Sequence, residues 1–101
     1  MKNILLICGS GASSGFMAAA IRKAAKKRGV KVMVKAASES QLDERIDEIN
    51  YLLIGPHLSY MLEDIKEQTK EKNVRVAVIP QSTYGTLNGE KALDLILNLE
   101  E

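Results

Sequence analysis

Four short apolar runs, separated by stretches of helical periodicity, organise the chain. The first, Lys2–Cys8, is apolar through Ile4–Ile7 and meets Gly9-Ser10-Gly11, which predicts a buried strand closed by a small-residue loop. Met17, Ile21, Ala24 and Ala25 then recur at helical spacing, with Arg22, Lys23, Lys26, Lys27 and Arg28 between them. Gly29 is placed to end that helix in a left-handed conformation. Val30–Ala36 is Val-rich with Lys31 and Lys35 at alternate places, the pattern of a strand nearer a sheet edge. Ser38 and Gln41 form a capping-box pattern that opens a short helix through about Arg45, with Asp43, Glu44, Asp47 and Glu48 on its outer face. Tyr51–Ile54 is wholly apolar and reads as a central strand stopped by Gly55-Pro56. A third helix is expected over Ser59–Lys70 with Met61, Leu62 and Ile65 inward, then a fourth strand over Val74–Ile79 and a loop over Pro80–Leu87. Asn88-Gly89 is placed to start a last helix that buries Ala92, Leu93, Ile96 and Leu97.

The strict alternation of four strands with four helices predicts an α/β fold: a four-stranded parallel sheet with helices on both faces, because each right-handed crossover must lay a helix across the sheet. The expected strand order is the flavodoxin-like 2-1-3-4, which puts the switch point between strands 1 and 3, where ligands collect beyond the carboxyl ends. Cys8 sits at that end of strand 1; Gly55-Pro56-His57 and Gln81–Gly85 leave strands 3 and 4 on the same rim.

Composition narrows the function. With 101 residues, 46% of them hydrophobic, the expectation is a single domain over residues 1–101 with one apolar core. Fourteen basic against thirteen acidic residues leave a net charge of +1, so no global field favours nucleic acid or an anionic membrane surface. Ile4–Ile7 is too short to cross a bilayer, and no membrane insertion is expected. A lone cysteine makes neither an internal disulfide nor a Cys-based metal site; the expectation is a cytoplasmic, monomeric protein with a reduced thiol and no metal or cofactor.

The cysteine's neighbours carry the chemistry. Cys8-Gly9-Ser10-Gly11-Ala12-Ser13-Ser14-Gly15 joins a strand to a helix through small and hydroxyl residues alone, so backbone N–H groups can converge on one point beside a helix N-terminus. Such a nest suits a tetrahedral dianion and favours thiolate, the nucleophilic form. A tyrosine-phosphatase loop shares this strand-loop-helix logic but places an arginine six residues after its cysteine, where this chain has Ser14. The cluster Arg22–Arg28 is no substitute, since ten or more helical residues set it roughly 15–20 Å away. Without that clamp hydrolysis is expected to be slow, and the loop reads as a phosphoryl carrier. Two other readings of the same residues stand beside it: a small cysteine-dependent phosphatase or thiol reductase, and a non-enzymatic anion-binding regulatory module. His57 reads either as a proton donor near Cys8 or as an exposed loop residue. The basic run on the first helix reads as a solvated face suited to a helix C-terminus.

Three blocks carry a family resemblance: Cys8-x-x-Gly11-x-Ser13-Ser14, Gly55-Pro56-x-x-x-Tyr60-Met61 and Tyr84-Gly85-x-x-Asn88-Gly89, in that order after strands 1, 3 and 4. On these the chain resembles, over essentially its full length, the lactose/cellobiose family of enzyme IIB proteins of the phosphoenolpyruvate-dependent sugar phosphotransferase system. It departs from that family's pattern at Gly15, where a hydroxyl residue is common, and at Pro80, often polar. The resemblance implies that Cys8 accepts a phosphoryl group from a phosphohistidine of enzyme IIA and passes it to a sugar, a β-disaccharide such as cellobiose, chitobiose or lactose, held by the permease enzyme IIC. It further implies a phosphate cradle of Gly9, Ser10, Gly11, Ala12, Ser13 and Ser14, with Tyr84 and Gly85 on the neighbouring rim.

Overall fold

The computed structural model describes residues 2–7 and 14–99. Its elements are β1 (Lys2–Ile7), α1 (Ser14–Arg28), β2 (Val32–Ala37), α2 (Leu42–Arg45) between 3₁₀ turns at Glu39–Gln41 and Ile46–Glu48, β3 (Tyr51–Ile54), a 3₁₀ segment Pro56–Met61, α3 (Leu62–Thr69), β4 (Arg75–Val78), α4 (Gln81–Gly85) and α5 (Gly89–Asn98). The strands form one sheet in the order β2-β1-β3-β4, every pair parallel, as the alternating pattern predicts.

The two central strands are apolar on both faces because both faces are covered. In β1, Ile4 and Leu6 pack with Met17 and Ile21 of α1 and Ile96 of α5. The alternate residues Leu5 and Ile7 point the other way, toward Leu42, Ile46, Leu58 and Ile65. Tyr51 and Leu53 of β3 join the first layer, Leu52 and Ile54 the second. Each such side chain contributes about 1.5–3 kcal/mol on burial, so the two-sided packing of β1 and β3 is a major source of stability.

Helix ends follow from identifiable caps. At the end of α1, Gly29 adopts φ +72°, with Gly29 N–H donating to the Lys26 carbonyl (3.3 Å) and Val30 N–H to that of Ala25 (2.9 Å). This is the paired closure that a left-handed C′ residue permits. At the start of α5, Asn88 Oδ1 accepts from Lys91 N–H at 3.0 Å. Ser38 makes half of the expected capping box, its N–H donating to Gln41 Oε1 at 3.4 Å.

Several expectations are corrected. Pro80–Leu87 is not a plain loop: it contains α4, so the described residues hold five α-helices rather than four. Pro80, with φ −59°, directs the chain into that helix, its carbonyl accepts the Tyr84 N–H (3.0 Å), and burial of Thr83 and Tyr84 stabilises the turn. The third helix is α-helical only from Leu62, because Pro56 starts a 3₁₀ segment broken at Leu58 (φ −108°, ψ 15°). Met61 and Leu62 are correspondingly half-buried, as is Leu97. The basic face of α1 is not wholly solvated either. Arg22 donates through Nε and Nη2 to the Val34 carbonyl (3.0 and 2.8 Å), tying α1 to edge strand β2. Arg28 spans Glu90 Oε1 (2.7 Å) and Asp94 Oδ1 (2.5 Å) on α5.

The α1–α5 seam is tight at Gly89, where an added Cβ would lie 2.1 Å from the Ala20 carbonyl oxygen. Helix propensity alone would favour alanine there by up to about 1 kcal/mol. Backbone overlap reverses that sign: Gly89→Ala is expected to destabilise by about 1–3 kcal/mol in urea unfolding, and a stabilised variant would show that the helices slide apart freely.

The same seam has a pH signature. The hydrogen bond from Arg28, aided by its charge, holds the Asp94 carboxyl below its ordinary value against a smaller opposing effect of desolvation. A carboxyl lowered in the folded state stabilises the fold above its ordinary pKa of 3.8, and this contribution fades as pH falls through the lowered value. The urea midpoints of the wild type and Asp94→Asn are therefore expected to converge as pH is lowered through the carboxylate range; divergence would contradict the pairing.

Candidate functional site

Because all four strands run parallel, β1, β2, β3 and β4 end on one rim at Ile7, Ala37, Ile54 and Val78. The ladder continues one step past the strands: Gly55 N–H donates to the Ile7 carbonyl (2.9 Å) and Ile79 N–H to that of Ile54 (2.8 Å). The chain leaving β3 is thus hydrogen-bonded to the residue that precedes Cys8. The connection from β1 runs to α1 on one face, while β3 leads to the 3₁₀ segment and α3 on the other, so the switch point lies between these two strands.

Cys8, Gly9, Ser10, Gly11, Ala12 and Ser13 lie outside the described residues. Their anchors are defined, however. Ile7 is fully buried, covalent geometry keeps the Cys8 Cα about 3.8 Å from that of Ile7, and Ser14 opens α1. The described chain therefore leaves the sheet at the switch point after Ile7 and resumes at the N-terminus of a 15-residue helix, where unsatisfied N–H groups and the helix dipole favour an anion. Gly15 is exposed and a Cβ there would meet nothing within 4 Å, so its departure from the family pattern has no steric cause.

On the opposite lip, Tyr84 of α4 is buried and the exposed His57 lies edge-on to it, with ring centroids 5.7 Å apart and planes inclined at 71°. This contact links the chain leaving β3 with the chain leaving β4. Gly85 is exposed within α4 and has open space where a Cβ would stand, so neither crowding nor backbone conformation requires glycine there.

The residues that sequence reasoning missed are apolar. Phe16 on the first turn of α1 is 67% exposed, and Leu87 between α4 and α5 is 39% exposed. Tyr60, noted only as part of a motif, is 77% exposed. Phe16 had a signal: it falls off the stripe defined by Met17, Ile21 and Ala24, on the face where charges prevail. Among the described residues no group of three or more His, Cys, Asp or Glu side chains could hold a metal ion, and no helix is long and apolar enough to cross a membrane.

The class this defines is a doubly wound α/β protein with its candidate site in the strand-to-helix loop at the switch point. Comparison with known proteins is more specific. Residues 3–95 match the family described as "PTS system, Lactose/Cellobiose specific IIB subunit", and the chain belongs to that family, a component of the sugar phosphotransferase system. It is 29% identical over 99 residues to the oligo-beta-mannoside-specific EIIB component of Bacillus subtilis, covering 98% of this chain and 96% of that one. A lactose-specific EIICB component of Lacticaseibacillus casei is also 29% identical over 96 residues, and there the chain spans 17% of the relative's length. The solution structure of a cellobiose-specific IIB component from Borrelia burgdorferi superposes with a TM-score of 0.78 at 35% identity, covering 97% of this chain and 90% of that one. The lactose-specific IIB domain from Streptococcus pneumoniae shares the fold, with a TM-score of 0.89 at 17% identity over 99% and 98% of the two chains.

An edge-on aromatic pair contributes about 0.5–1.5 kcal/mol, whereas truncating a buried aromatic residue costs about 3–5 kcal/mol. Thermal or urea unfolding is therefore expected to rank Tyr84→Ala well below His57→Ala. Equal losses would mean that His57 is an integral part of the core.

Proposed function

We propose that this chain is a phosphoryl relay in which Cys8 accepts a phosphoryl group from a phosphohistidine of enzyme IIA and delivers it to a sugar held by the membrane permease, enzyme IIC. The observation that supports the reading is the place of the described residues that flank Cys8 in sequence: β1 ends at the buried Ile7 beside the switch point and α1 begins at Ser14, in a lactose/cellobiose-type IIB chain. In the first step the Cys8 thiolate attacks phosphorus, a P–S bond forms, the P–N bond breaks, and the histidine nitrogen leaves with the electron pair. In the second a sugar hydroxyl oxygen attacks phosphorus, the P–S bond breaks, sulfur departs as thiolate, and the hydroxyl proton is released.

Gly9–Ser14 cradle the phosphoryl oxygens in this reading, and the positive end of α1 favours both thiolate and the bound dianion. Tyr84 and Gly85 form the neighbouring rim. Slow hydrolysis of the intermediate is supported by the engagement of Arg22, the first arginine on α1, with the Val34 carbonyl. It lies eight positions into the helix from Ser14, about 12 Å along the axis, and is held toward β2. The relatives' names point to β-linked sugars, and the IIB domain acts on the cytoplasmic side, with the permease holding the sugar.

Incubation with phosphoenolpyruvate, the general phosphotransferase proteins and a matching enzyme IIA is expected to add the mass of one phosphoryl group, mapped to Cys8 and lost in Cys8→Ser. An undiminished adduct in Cys8→Ser would overturn the assignment. Steady turnover of an aryl phosphate by the isolated chain would favour a phosphatase, and tight phosphate binding without covalent transfer an anion-binding module.

A further inference from the structure

Leu87 pairs two costs that are rarely combined. Its backbone lies in the left-handed region at φ +50°, and its side chain is 39% exposed. It occupies the C′ position of α4, as Leu87 N–H donates to the Tyr84 carbonyl (3.1 Å) and Asn88 N–H to that of Thr83 (2.9 Å). Gly29 fills the equivalent position after α1 with the same hydrogen-bond pattern. Glycine is the residue this closure favours, since a Cβ in the left-handed region costs on the order of 1–2 kcal/mol. Folding therefore gains less from leucine here than from one fully buried in an ordinary backbone conformation, and strain at a partly exposed apolar residue points to a role outside the fold.

The surroundings indicate what that role is. Leu87 lines an open groove of about 300 Å³ between α1 and the start of α5, together with Ala20, Ala24 and Lys23. Phe16, 67% exposed, stands one helical turn before Ala20 on the same face of α1, nearer that helix's N-terminus. Lys27, at the far end, is 3.7 Å from Glu90, whereas Lys23 forms no ion pair among the described residues. The surface is thus an apolar strip edged by a cation that has no ion pair among the described residues, beginning in the first turn of α1.

We infer that the strip formed by Phe16, Ala20 and Leu87, edged by Lys23, is the docking surface for the protein that donates the phosphoryl group, and that the donor presents an apolar patch flanked by a carboxylate. This rests on the relay reading of Cys8. The donor carries its phosphoryl group on a folded protein and must be held in place while Sγ and phosphorus align, which is what a strip starting at the first turn of α1, a few residues after Cys8 in sequence, supplies. Charge complementarity with Lys23 selects an acidic margin on that donor and speeds encounter.

Initial rates of Cys8 phosphorylation, measured against the concentration of the matching phosphorylated enzyme IIA, test this directly. Leu87→Gly is expected to raise the urea midpoint while raising the half-saturating donor concentration by about fivefold or more, with the maximal rate unchanged; a purely structural leucine would move neither binding term. Phe16→Ala should raise half-saturation about tenfold, and Lys23→Glu should raise it more at low than at high salt. Met33→Ser, which alters an exposed apolar residue on edge strand β2, should leave both parameters unchanged. The rate of Cys8 alkylation by iodoacetamide should be the same in all four variants, showing that the loop itself is intact.

Unchanged half-saturation in both Leu87→Gly and Phe16→Ala would overturn the inference. So would a change confined to the later transfer to sugar, which would assign the strip to the permease. Backbone chemical-shift mapping with unphosphorylated enzyme IIA separates the two levels. Perturbations centred on residues 16–24 and 87–90 without phosphoryl transfer would uphold the docking surface while failing the relay, and perturbations elsewhere would overturn the surface even if Cys8 is phosphorylated.

Discussion

The parallel pairing of β1 with β3 positions every other element. Ile4–Ile7 and Leu52–Ile54 are buried on both faces, so helical layers must cover both sides, and the crossovers that build them must return the chain at the amino end of the sheet. All strand exits then share one rim. The ladder bond from Gly55 N–H to the Ile7 carbonyl draws the two exits together at the point where their connections diverge. A slip of one residue in this register would turn Leu5 and Ile7 into the layer that now holds Ile4 and Leu6 and would move the chain preceding Cys8 with them. The position of the candidate site is therefore a consequence of core packing.

The α1–α5 layer connects that frame to the proposed docking strip. Gly89 lets α5 approach the backbone of α1 at Ala20, Arg28 bridges the far end of the seam to Glu90 and Asp94, and Asn88 caps the entry to α5. The turn into that cap is made by Leu87 in a conformation better suited to glycine. A left-handed leucine thus stands between α4 and α5, on the side of the molecule where Phe16 is also uncovered. Rigid packing beneath and apolar side chains above are what a protein needs to hold a partner without reorganising.

Much of this was legible in the residues themselves. Continuous apolar runs identified β1 and β3 as central, alternate lysines identified β2 as an edge, and alternation with helical segments implied a parallel sheet, for which the expected flavodoxin-like order 2-1-3-4 is the one observed. Gly29 and Asn88 marked helix ends because each supplies a backbone or side-chain group that the terminus needs. The segment after β4 was less legible. Glycine is the usual signal for a left-handed helix end, but Gly85 lies inside α4 and the left-handed residue is Leu87, so Pro80–Leu87 carried loop composition with a helix within it. The partners of Arg22 and Arg28 were hidden for another reason: both contacts join residues distant in sequence, and local charge pattern says nothing about them. At the candidate site, Cys8 and its small-residue loop were visible from composition, whereas the apolar strip from Phe16 to Leu87 depends on how α4 and α5 pack against α1.

The central claim is that sulfur of Cys8 carries the phosphoryl group between two protein partners. Phosphorus NMR of the chain after phosphorylation by enzyme IIA tests it most directly, because the chemical shift distinguishes phosphorus bonded to sulfur, nitrogen or oxygen. A single S-phosphoryl resonance that disappears on adding permease and sugar is the predicted result. A resonance from N- or O-bonded phosphorus, with the Cys8 thiol still free to react with iodoacetamide, would contradict the account.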